Sequence, residues 1–363
     1  MKIVLAFDSF KHCMRAHEVC DCVRSGIFDA VPEAEILPFP LADGGEGTVD
    51  AACRIAGKAP VCLPVTGPLG ERRSAPVLLD GDLAILETAS ACGIEWVPPE
   101  DRDPMRTTTF GVGELLKEIA ARGVRKCVIG LGGSATVDGG IGMLRALGAR
   151  FFDTSGRETD SLIRVAGMDF AIDLPEMEML LASDVENPLC GPCGAAAVFG
   201  PQKGAKEEDI PVLDHALKHL QTLFGAEDLP GDGAAGGLGF AFRMLGARRT
   251  SGARWMLQYA GFAGALQNAD LVITGEGRSD GQTADGKLPW IVAEEAARCG
   301  VPAVLLSGAL GAGYEVLQRR FIALSSLSAG PGTLEEALQD APRQLRRQGR
   351  NLANLLSAGI FRR

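Results

Sequence analysis

The sequence has 363 residues, of which 46% are hydrophobic and 23% charged, close to the averages of soluble globular chains. This length exceeds what one hydrophobic core usually serves, so two domains are expected. The net charge of −10 excludes general binding to nucleic acid or to an anionic membrane, because both require a basic surface. No apolar run reaches the roughly 20 residues of a membrane span. The N-terminal stretch MKIVLAFDSF lacks a signal-peptide pattern, so we expect a cytoplasmic protein.

Short apolar runs, most of them bounded by Gly, Asp or Pro, predict strands that are buried on both faces. These runs lie at residues 2–7, 35–39, 126–131, 178–183, 270–274, 302–307 and 321–326. Helical periodicity lies between many of them, at residues 16–30, 112–122, 140–148, 205–224, 289–299 and 334–356. The alternation predicts an α/β protein with parallel strands and helical crossovers.

Residues 59–97 have another pattern, in which short β-rich pieces are joined by Gly and Pro turns without a clear helix. We therefore expect a discontinuous arrangement. Residues 1–58 and 266–363 would form a doubly wound parallel five-stranded sheet of order 2-1-3-4-5, and residues 59–265 a second, inserted α/β domain. Ligands are then expected in a cleft between the domains, at the carboxyl ends of the strands.

Polar, glycine-rich clusters follow or approach the predicted strands, at residues 8–11, 42–48, 132–140, 183–188 and 274–283. Their carboxylates include Asp8, Asp43, Glu46, Asp138, Asp184, Glu276 and Asp280. Carboxylates gathered at one edge of a sheet repel one another unless cations compensate. Lys11, Arg278, Lys287 and a magnesium ion are the candidates, since Mg²⁺ usually takes one or two protein carboxylates and completes its shell with water and phosphate.

Residues 132–140 offer many unhindered backbone amides before a predicted helix, which suits phosphate or carboxylate binding. Residues 281–287 have the spacing of a phosphate-binding Walker A loop, but Leu288 stands where Ser or Thr should bind magnesium. We reject a standard loop of that kind and keep Lys287 as a phosphate contact. Cys190 and Cys193 form a CxxC pair outside a redox-fold context, so we expect no redox function. The other cysteines, such as Cys299, are expected to be buried and reduced.

Taken in order, the clusters resemble the type-1 glycerate kinase family over nearly the whole chain. The most specific segments are ADGGEGT (42–48), VTGPLGE (65–71), TTTFGVGELL (107–116), GGSAT-DGG-GML-ALGA (132–149), D-ENPLCGP-GAA-VFGPQKGA (184–205), GAAGGLG (233–239) and TGEGR-DGQT--GK (274–287). The resemblance implies two α/β domains and a kinase that uses ATP and Mg²⁺ to phosphorylate D-glycerate, commonly to 2-phosphoglycerate.

By that resemblance, the matching positions are the candidate site residues. Asp184 is given the role of metal ligand or general base, with Asp43, Lys11 and Asp280 as further catalytic candidates. The substrate-binding candidates are Asp8, Arg278, Glu276, Asn187 and Glu46, with Arg278 suited to pair with the glycerate carboxylate. The phosphate- and nucleotide-binding candidates are Gly132, Gly133, Ser134, Ala135, Thr136, Asp138, Gly139 and Lys287.

The chain departs from the family pattern at a few positions. His12, Cys13 and Met14 follow Lys11 where the family usually has Gly-Ser and another hydroxyl, and Val137 replaces a usual Asn. We expect compensated drift first and a shifted substrate second. Two alternatives therefore stay open: a kinase acting on another small hydroxy acid, and a catalytically inactive regulator that binds glycerate or nucleotide. The oligomeric state, monomer or homodimer, is also open.

Overall fold

The computed structural model describes residues 1–11, 13–328 and 330–358, so His12 lies outside the described residues. The strands, in chain order, are β1 (Lys2–Phe7), β2 (Glu35–Pro40), β3 (Val61–Thr66), β4 (Arg72–Asp80), β5 (Leu83–Glu87), β6 (Lys126–Gly130), β7 (Arg150–Phe152), β8 (Gly167–Asp169), β9 (Glu178–Ala182), β10 (Arg248–Thr250), β11 (Leu271–Gly275), β12 (Arg278–Ser279), β13 (Ala303–Ser307), β14 (Ala309–Leu310) and β15 (Ala323–Ser326).

The α-helices are α1 (Ala16–Ala30), α2 (Thr48–Ala56), α3 (Ala89–Cys92), α4 (Phe110–Ala121), α5 (Ile141–Ala146), α6 (Ala195–Phe199), α7 (Asp209–Phe224), α8 (Leu238–Met244), α9 (Gly252–Tyr259), α10 (Phe262–Ala265), α11 (Leu288–Arg298) and α12 (Leu334–Ser357). Short 3-10 helices lie at Ile94–Trp96, Pro99–Asp101, Leu162–Arg164, Pro201–Lys203, Ala234–Gly236, Gly281–Asp285 and Tyr314–Arg319. None of the helices in the described part of the chain has the length and apolar character that crossing a bilayer requires.

The chain divides into two compact units. The first comprises Met1–Asp43, Asp50–Gly57 and the chain from Ala253 onward, and the second comprises Gly44–Val49 and Lys58–Gly252. The predicted domain limits of 1–58, 266–363 and 59–265, and the predicted cleft, stay predictions.

The first unit is built on a five-stranded parallel sheet of order β15-β13-β11-β1-β2. Numbered within this sheet alone, the order is 2-1-3-4-5, as predicted. Alternate residues of β1 point to opposite faces. Ile3 and Leu5 pack in the apolar cluster formed with α1 and α12, whereas Val4 and Ala6 pack in the cluster formed with α9 and α11. Helices cover both faces, so the predicted doubly wound α/β fold is confirmed.

The first and last long helices, α1 and α12, pack closely because small residues lie where they cross. A Cβ atom at Gly26 would collide with the carbonyl oxygen of Arg346, and one at Gly349 with that of Val23. Beside this crossing, the Arg346 guanidinium donates two hydrogen bonds to the Asp29 carboxylate, at 2.7 and 2.8 Å. Glycine therefore allows the backbones of α1 and α12 to approach, and the charged pair lies at the exposed rim.

The second unit contains a six-stranded mixed sheet of order β10-β9-β6-β5-β4-β3. β3, β4 and β5 pair in antiparallel fashion, whereas β5, β6, β9 and β10 are parallel. The different character predicted for residues 59–97 is confirmed by this antiparallel part. A short helix that the sequence did not indicate, α3, ends the same region. Cys299, expected to be buried, is instead exposed, because it caps the C-terminal end of α11 at the surface.

Gly44 fills a narrow space at the carboxyl ends of β6 and β9. Its φ is +95°, and a Cβ atom there would collide with the carbonyl oxygen of Ala182. A Cβ atom at Gly130, the last residue of β6, would likewise collide with the carbonyl oxygen of Gly44. The glycines of the segment ADGGEGT thus allow its backbone to lie directly on the ends of two strands.

We predict that Gly44→Ala lowers the free energy of unfolding far more than Gly70→Ala does. Gly70 has a similar φ of +90°, yet a Cβ atom there would meet nothing within 4 Å. The Gly70 variant therefore measures only the left-handed strain, about 1–2 kcal/mol, whereas the Gly44 variant adds a backbone collision. Chemical denaturation monitored by fluorescence tests this difference. Equal losses in the two variants would show that the close approach at Gly44 has no energetic importance.

Candidate active site

Three carboxylates of the first unit lie beyond the carboxyl ends of neighbouring parallel strands. Phe7, the last residue of β1, pairs with Gly275 of β11 on one side and with Pro40 of β2 on the other. Asp8 and Glu276 are therefore the next residues of adjacent strands, and Asp43 follows β2 by three residues. Parallel pairing thus brings together at one sheet edge the acidic residues that the sequence places at separate strand ends.

Asp8 is 8% exposed, and its surroundings oppose its ionisation. Burial raises the pKa of this carboxyl well above its usual range, and the negative charges of Asp43 and Glu276 raise it further. Two contacts act in the other direction: the backbone N–H of Ser9 donates a hydrogen bond to Asp8 Oδ1 at 2.6 Å, and the Lys11 ammonium adds positive charge. Asp8 is a desolvated carboxyl among like charges, an arrangement found at functional sites.

Glu276 is held in one orientation by hydroxyl groups. Its Oε1 accepts hydrogen bonds from Ser279 Oγ at 3.0 Å and from Thr283 Oγ1 at 2.7 Å. Ser279 Oγ also lies 2.5 Å from Ser307 Oγ at the end of β13. Burial raises the pKa of Glu276, whereas Lys287 and the two hydroxyls oppose that rise. The remaining oxygen, Oε2, lies 3.8 Å from Lys287 Nζ, so one side of the carboxylate faces a cation.

The segment from Arg278 to Lys287 contains a capped 3-10 helix that leads into α11. Asp280 begins the 3-10 helix Gly281–Asp285 by accepting a hydrogen bond from the backbone N–H of Gln282 at 3.0 Å. Lys287 stands directly before α11 as its N-cap. The Arg278 side chain is 70% exposed, with Nε 3.8 Å from Asp280 Oδ2. Its guanidinium therefore remains accessible to a carboxylate ligand, whereas Asp280 has a local capping role.

In the second unit, the glycine-rich loop 132–140 has two different halves. Backbone hydrogen bonds inside the protein engage the amides of Ala135, which donates to Cys92 O, and Gly139, which donates to Gly236 O. Within the described ranges, the amides of residues 132–134 meet no acceptor, and Gly133 is exposed. The amides of residues 136–138 also meet no acceptor in this part of the structure, but these residues are buried. The first half, with the exposed Gly133, is therefore the part whose backbone donors an anion can reach. The predicted phosphate contacts at Ala135 and Gly139 have no such donor to offer.

Asp138 lies in the second half and holds the loop together. Its Oδ2 accepts hydrogen bonds from the backbone N–H of Thr109 at 2.9 Å, from Thr109 Oγ1 at 2.7 Å and from the Gly142 N–H at 3.3 Å. Its Oδ1 accepts one from the Gly140 N–H at 3.0 Å. Burial raises the pKa of this carboxyl, and these donors oppose the rise. The contacts are internal, so they indicate a role in shaping the loop rather than in touching phosphate.

A residue that the sequence did not indicate, Lys203, lies beneath the same loop. Its side chain is almost completely buried at the end of the 3-10 helix Pro201–Lys203. The ammonium donates hydrogen bonds to Ser134 Oγ at 2.9 Å and to the carbonyl oxygen of Thr136 at 2.7 Å. Burial lowers the pKa of Lys203 to about 8, against the charges of Cys92 and Asp138. The only sequence signal is its place in the segment VFGPQKGA, between glycines at positions 200 and 204.

The remaining candidates of the second unit lie after β9 and in the segment ADGGEGT (42–48). Asp184 follows β9 by two residues and is half-buried. Asn187 is held by its own contacts, since its side-chain amide donates to Cys193 O at 2.9 Å and its carbonyl oxygen accepts from Gly231 and Gly233. Glu46 is exposed. The carboxylates expected on one edge thus belong to two units, with Asp184, Asp138 and Glu46 in the second.

The CxxC pair does not have the properties of a redox centre. Cys190 and Cys193 are free thiols, and burial together with the nearby charges of Asp214 and Asp228 raises the pKa of Cys190 to about 12. A redox cysteine needs a lowered pKa, because the thiolate is the reactive form. The backbone N–H of Cys190 donates to Asp228 Oδ2 at 3.1 Å, which identifies the segment as an anchored turn.

The residues that depart from the family pattern pack into apolar surroundings. Val137 is fully buried in the core of the second unit. Cys13 and Met14 pack against the apolar cluster around α1, and Cys13 Sγ donates to the carbonyl oxygen of Leu338 at 3.3 Å. These three side chains are therefore accommodated by the interior, which agrees with compensated drift.

Among the described residues, no group of three or more His, Cys, Asp or Glu side chains is arranged to hold a metal ion. This result excludes a closed metal cage within that part of the chain, but not the arrangement usual for magnesium. Mg²⁺ is typically held by one or two carboxylates together with substrate phosphates and water. Burial raises the pKa of Asp8 and Glu276, and the negative charge of Asp43 adds to both shifts, which indicates a place where added positive charge would be stabilising.

A doubly wound sheet with charged strand ends, together with a second α/β unit that presents free loop amides, defines an enzyme for anionic substrates. Comparison with known proteins specifies the family. The glycerate kinase family model matches residues 3–357. Glycerate 2-kinase of Escherichia coli (strain K12) is 40% identical over 99% of each chain, and glycerate kinase of Bacillus cereus (strain ATCC 10987 / NRS 248) is 40% identical over 97% of each.

A solved structure from Salmonella typhimurium LT2 that carries the name glycerate kinase 2 is also similar. It has a TM-score of 0.84 and 42% sequence identity, with 99% of each chain covered. The chain therefore belongs to the glycerate kinase family and is an enzyme of the phosphotransferase class. The resemblance noted in the sequence is confirmed, as is the α/β fold.

We predict that Asp8→Asn raises the thermal midpoint at pH 7–8 in the absence of metal and substrates. A carboxyl with a raised native pKa binds its proton more tightly in the folded than in the unfolded chain. Its ionisation therefore costs stability as the pH rises from about 4 through the native pKa. Asparagine removes this charge and can still accept the Ser9 hydrogen bond. We expect a gain of about 2–4 °C, which corresponds to roughly 1 kcal/mol in a domain of 150–250 residues.

Differential scanning calorimetry at pH 4 and pH 8 measures this effect, with the exposed Asp101→Asn as the control. The gain should be present at pH 8 and small at pH 4, where the native carboxyl stays protonated and that of the unfolded chain is only about half ionised. A lower midpoint for Asp8→Asn at pH 8 would contradict the electrostatic description of this edge.

Proposed function

We propose that the protein is a cytoplasmic kinase that transfers the γ-phosphoryl group of ATP, in the presence of Mg²⁺, to the 2-hydroxyl of D-glycerate. The product would be 2-phosphoglycerate. The observation that carries this proposal is the 40% identity to the Escherichia coli glycerate 2-kinase over 99% of both chains. The acidic strand ends and the open half of loop 132–140 agree with such chemistry.

The proposed roles follow from what each group can offer. Phosphoryl transfer depends on positioning the two substrates and on neutralising the phosphate oxygens. Residues 132–134 would donate backbone N–H groups to phosphate, and Lys287 would add positive charge. Arg278 would bind the glycerate carboxylate through two parallel hydrogen bonds, since its guanidinium is accessible. Lys11 would neutralise charge beside Asp8.

The proton of the attacking hydroxyl needs an acceptor. We propose Asp184 as general base or metal ligand, with Asp43 as the alternative base, because Asp43 belongs to the acidic group that raises the pKa of Asp8 and Glu276. Asp280 is a weaker candidate, since it already caps the 3-10 helix Gly281–Asp285. Glu276 would position ligands through its fixed carboxylate.

Magnesium, when bound with ATP, would neutralise charge on the phosphate oxygens. Asp184 is the proposed protein ligand, and the acidic edge around Asp8 would accept the complex more readily than free nucleotide. The oligomeric state, monomer or homodimer, stays a prediction. A kinase that phosphorylates another small hydroxy acid is the second candidate function. The burial of Val137 and the apolar packing of Cys13 and Met14 do not favour it.

We expect ADP release with D-glycerate and Mg²⁺ at a rate typical of small-molecule kinases, about 1–100 s⁻¹. The assay would compare D-glycerate with glycolate and tartronate, and phosphorus NMR of the product would distinguish the 2-phosphate from the 3-phosphate. Faster turnover of another acid would assign a different acceptor. Tight binding of nucleotide and glycerate in calorimetry, without any turnover, would identify the inactive regulator instead.

We expect Asp184→Asn to lower kcat at least a hundredfold, the usual range for removing an acid–base or metal-binding group being about 10²–10⁴. The neighbouring exposed residue Glu186 supplies a matched control, Glu186→Gln, which should stay close to the wild type. Steady-state kinetics with both substrates varied measures the effect. If Asp184→Asn turned over substrate nearly as fast as the wild type, Asp184 would be neither the general base nor an essential metal ligand, and Asp43 would be tested next.

A further inference from the structure

Lys203 is a buried cation that the proposed reaction, as described above, does not use. It is 4% exposed and lies at the end of the 3-10 helix Pro201–Lys203. Burying an ammonium group is costly, and lysine is almost never fully buried without a compensating role. Within the residues that the structure describes, no carboxylate lies within ion-pair distance of its Nζ atom. Its partners are two neutral oxygens of one loop.

These two partners bracket the turn at the centre of loop 132–140. Ser134 Oγ lies on one side of Ala135 and the Thr136 carbonyl oxygen on the other, at 2.9 and 2.7 Å from Lys203 Nζ. The third N–H of the ammonium group has no acceptor among the described residues, and the buried Thr136 hydroxyl faces only the Cys92 thiol. The cluster thus holds more polar capacity than the protein itself satisfies, which packing alone does not require.

The loop above this cation has backbone N–H groups without an acceptor next to the exposed Gly133. The amides of residues 132–134 meet no acceptor among the described residues, whereas those of Ala135 and Gly139 are engaged internally. Lys203 donates hydrogen bonds to Ser134, the residue after Gly133, and to the carbonyl oxygen of Thr136. These two hydrogen bonds tie the loop to Lys203 on both sides of Ala135, and the ammonium charge adds to the positive potential of the nearby amides.

We propose that Lys203 is a positioning residue for phosphoryl transfer, which fixes residues 132–134 from beneath so that their amides bind the phosphate groups of the nucleotide. This inference rests on the proposed kinase function and deepens it. It assigns the nucleotide phosphates, rather than the carboxylate of the acceptor, to the loop above Lys203. Lys203 itself would touch no substrate.

The geometry at Gly204 supports a specific placement of this side chain. Gly204 has a φ of +95°, and a Cβ atom there would collide with the carbonyl oxygen of Arg102. The chain therefore turns sharply directly after Lys203, at a position that favours glycine. This turn sends the lysine inward while the next lysine, Lys206, is exposed. Lys206 consequently serves as a matched control.

The test compares the wild type with Lys203→Met, Lys203→Arg and Lys206→Met, using ADP release with Mg²⁺ and D-glycerate. Methionine keeps the apolar stem and removes the donors. We expect Lys203→Met to lower kcat/KM for ATP about tenfold to a hundredfold, as losing a hydrogen bond to a charged group does, with KM for glycerate within about twofold. Lys203→Arg should recover part of that loss, and Lys206→Met should match the wild type.

The pH profile provides a readout that a purely structural role would not change. Burial lowers the pKa of Lys203 to about 8, so its charge is present below that pH and is lost above it. The other titratable groups that face it are Asp138, whose charge favours the protonated lysine, and Cys92, whose pKa burial raises to about 12. The wild-type kcat/KM for ATP should therefore fall between pH 7 and 9.5, whereas Lys203→Met should give a flat profile.

Binding of ADP, measured by calorimetry on the wild type at pH 7 and 9.5, gives the same information if Lys203→Met does not fold. A weakening of about tenfold is expected from the loss of one charge near the phosphates. An unchanged ADP affinity, or a Lys203→Met variant with wild-type kinetics and only a lower thermal midpoint, would overturn the inference. A change in KM for glycerate alone would do so as well. Absence of kinase activity in the wild type would instead refute the proposed function.

Discussion

The parallel pairing of β1 between β2 and β11 is the constraint on which the first unit depends. It makes Asp8 and Glu276 the next residues of adjacent strands and brings Asp43 near both. Because Asp8 and Glu276 are desolvated and lie near the negative charge of Asp43, ionising these two carboxyls costs folding free energy. Helices on both faces of the sheet supply the apolar burial that offsets this cost. This acidic edge is thus kept at the expense of local stability, a cost that proteins usually accept where function opposes folding.

The second unit is also an α/β scaffold, and its main candidate feature is a glycine-rich loop. Its glycine-rich loop is held from within by Asp138, which accepts four hydrogen bonds, and from beneath by Lys203. Gly44 and Gly130 let another glycine-rich segment lie on the ends of β6 and β9. Rigid support of this kind keeps backbone donors in place before a ligand arrives, which is what electrostatic stabilisation of phosphate requires. The two units therefore offer complementary chemistry for a phosphotransferase.

The sequence predicted the long elements well, because hydrophobic periodicity accumulates over many residues. The predicted helix at 16–30 coincides with α1, and the predicted strand order within the five-stranded sheet is the observed one. It missed short elements such as α3, α10 and the two-residue strands β12 and β14, whose few residues carry no measurable period. Within the site, strand-end acids were predicted because their position follows from sheet geometry. Lys203 was missed, since a single lysine in a glycine-rich segment is most often exposed.

By itself, the sequence determined the fold class and the family, and it supplied a set of candidate polar residues, because these depend on local pattern and on ordered motifs. Only the tertiary structure decided what each polar group does. Asp138 and Asp184 look alike in the sequence. In the structure, Asp138 accepts four hydrogen bonds from inside the protein, whereas Asp184 is half-buried beyond the end of a strand. The physical reason is that burial and hydrogen-bond partners come from residues distant along the chain, as in the 69-residue separation of Lys203 and Ser134.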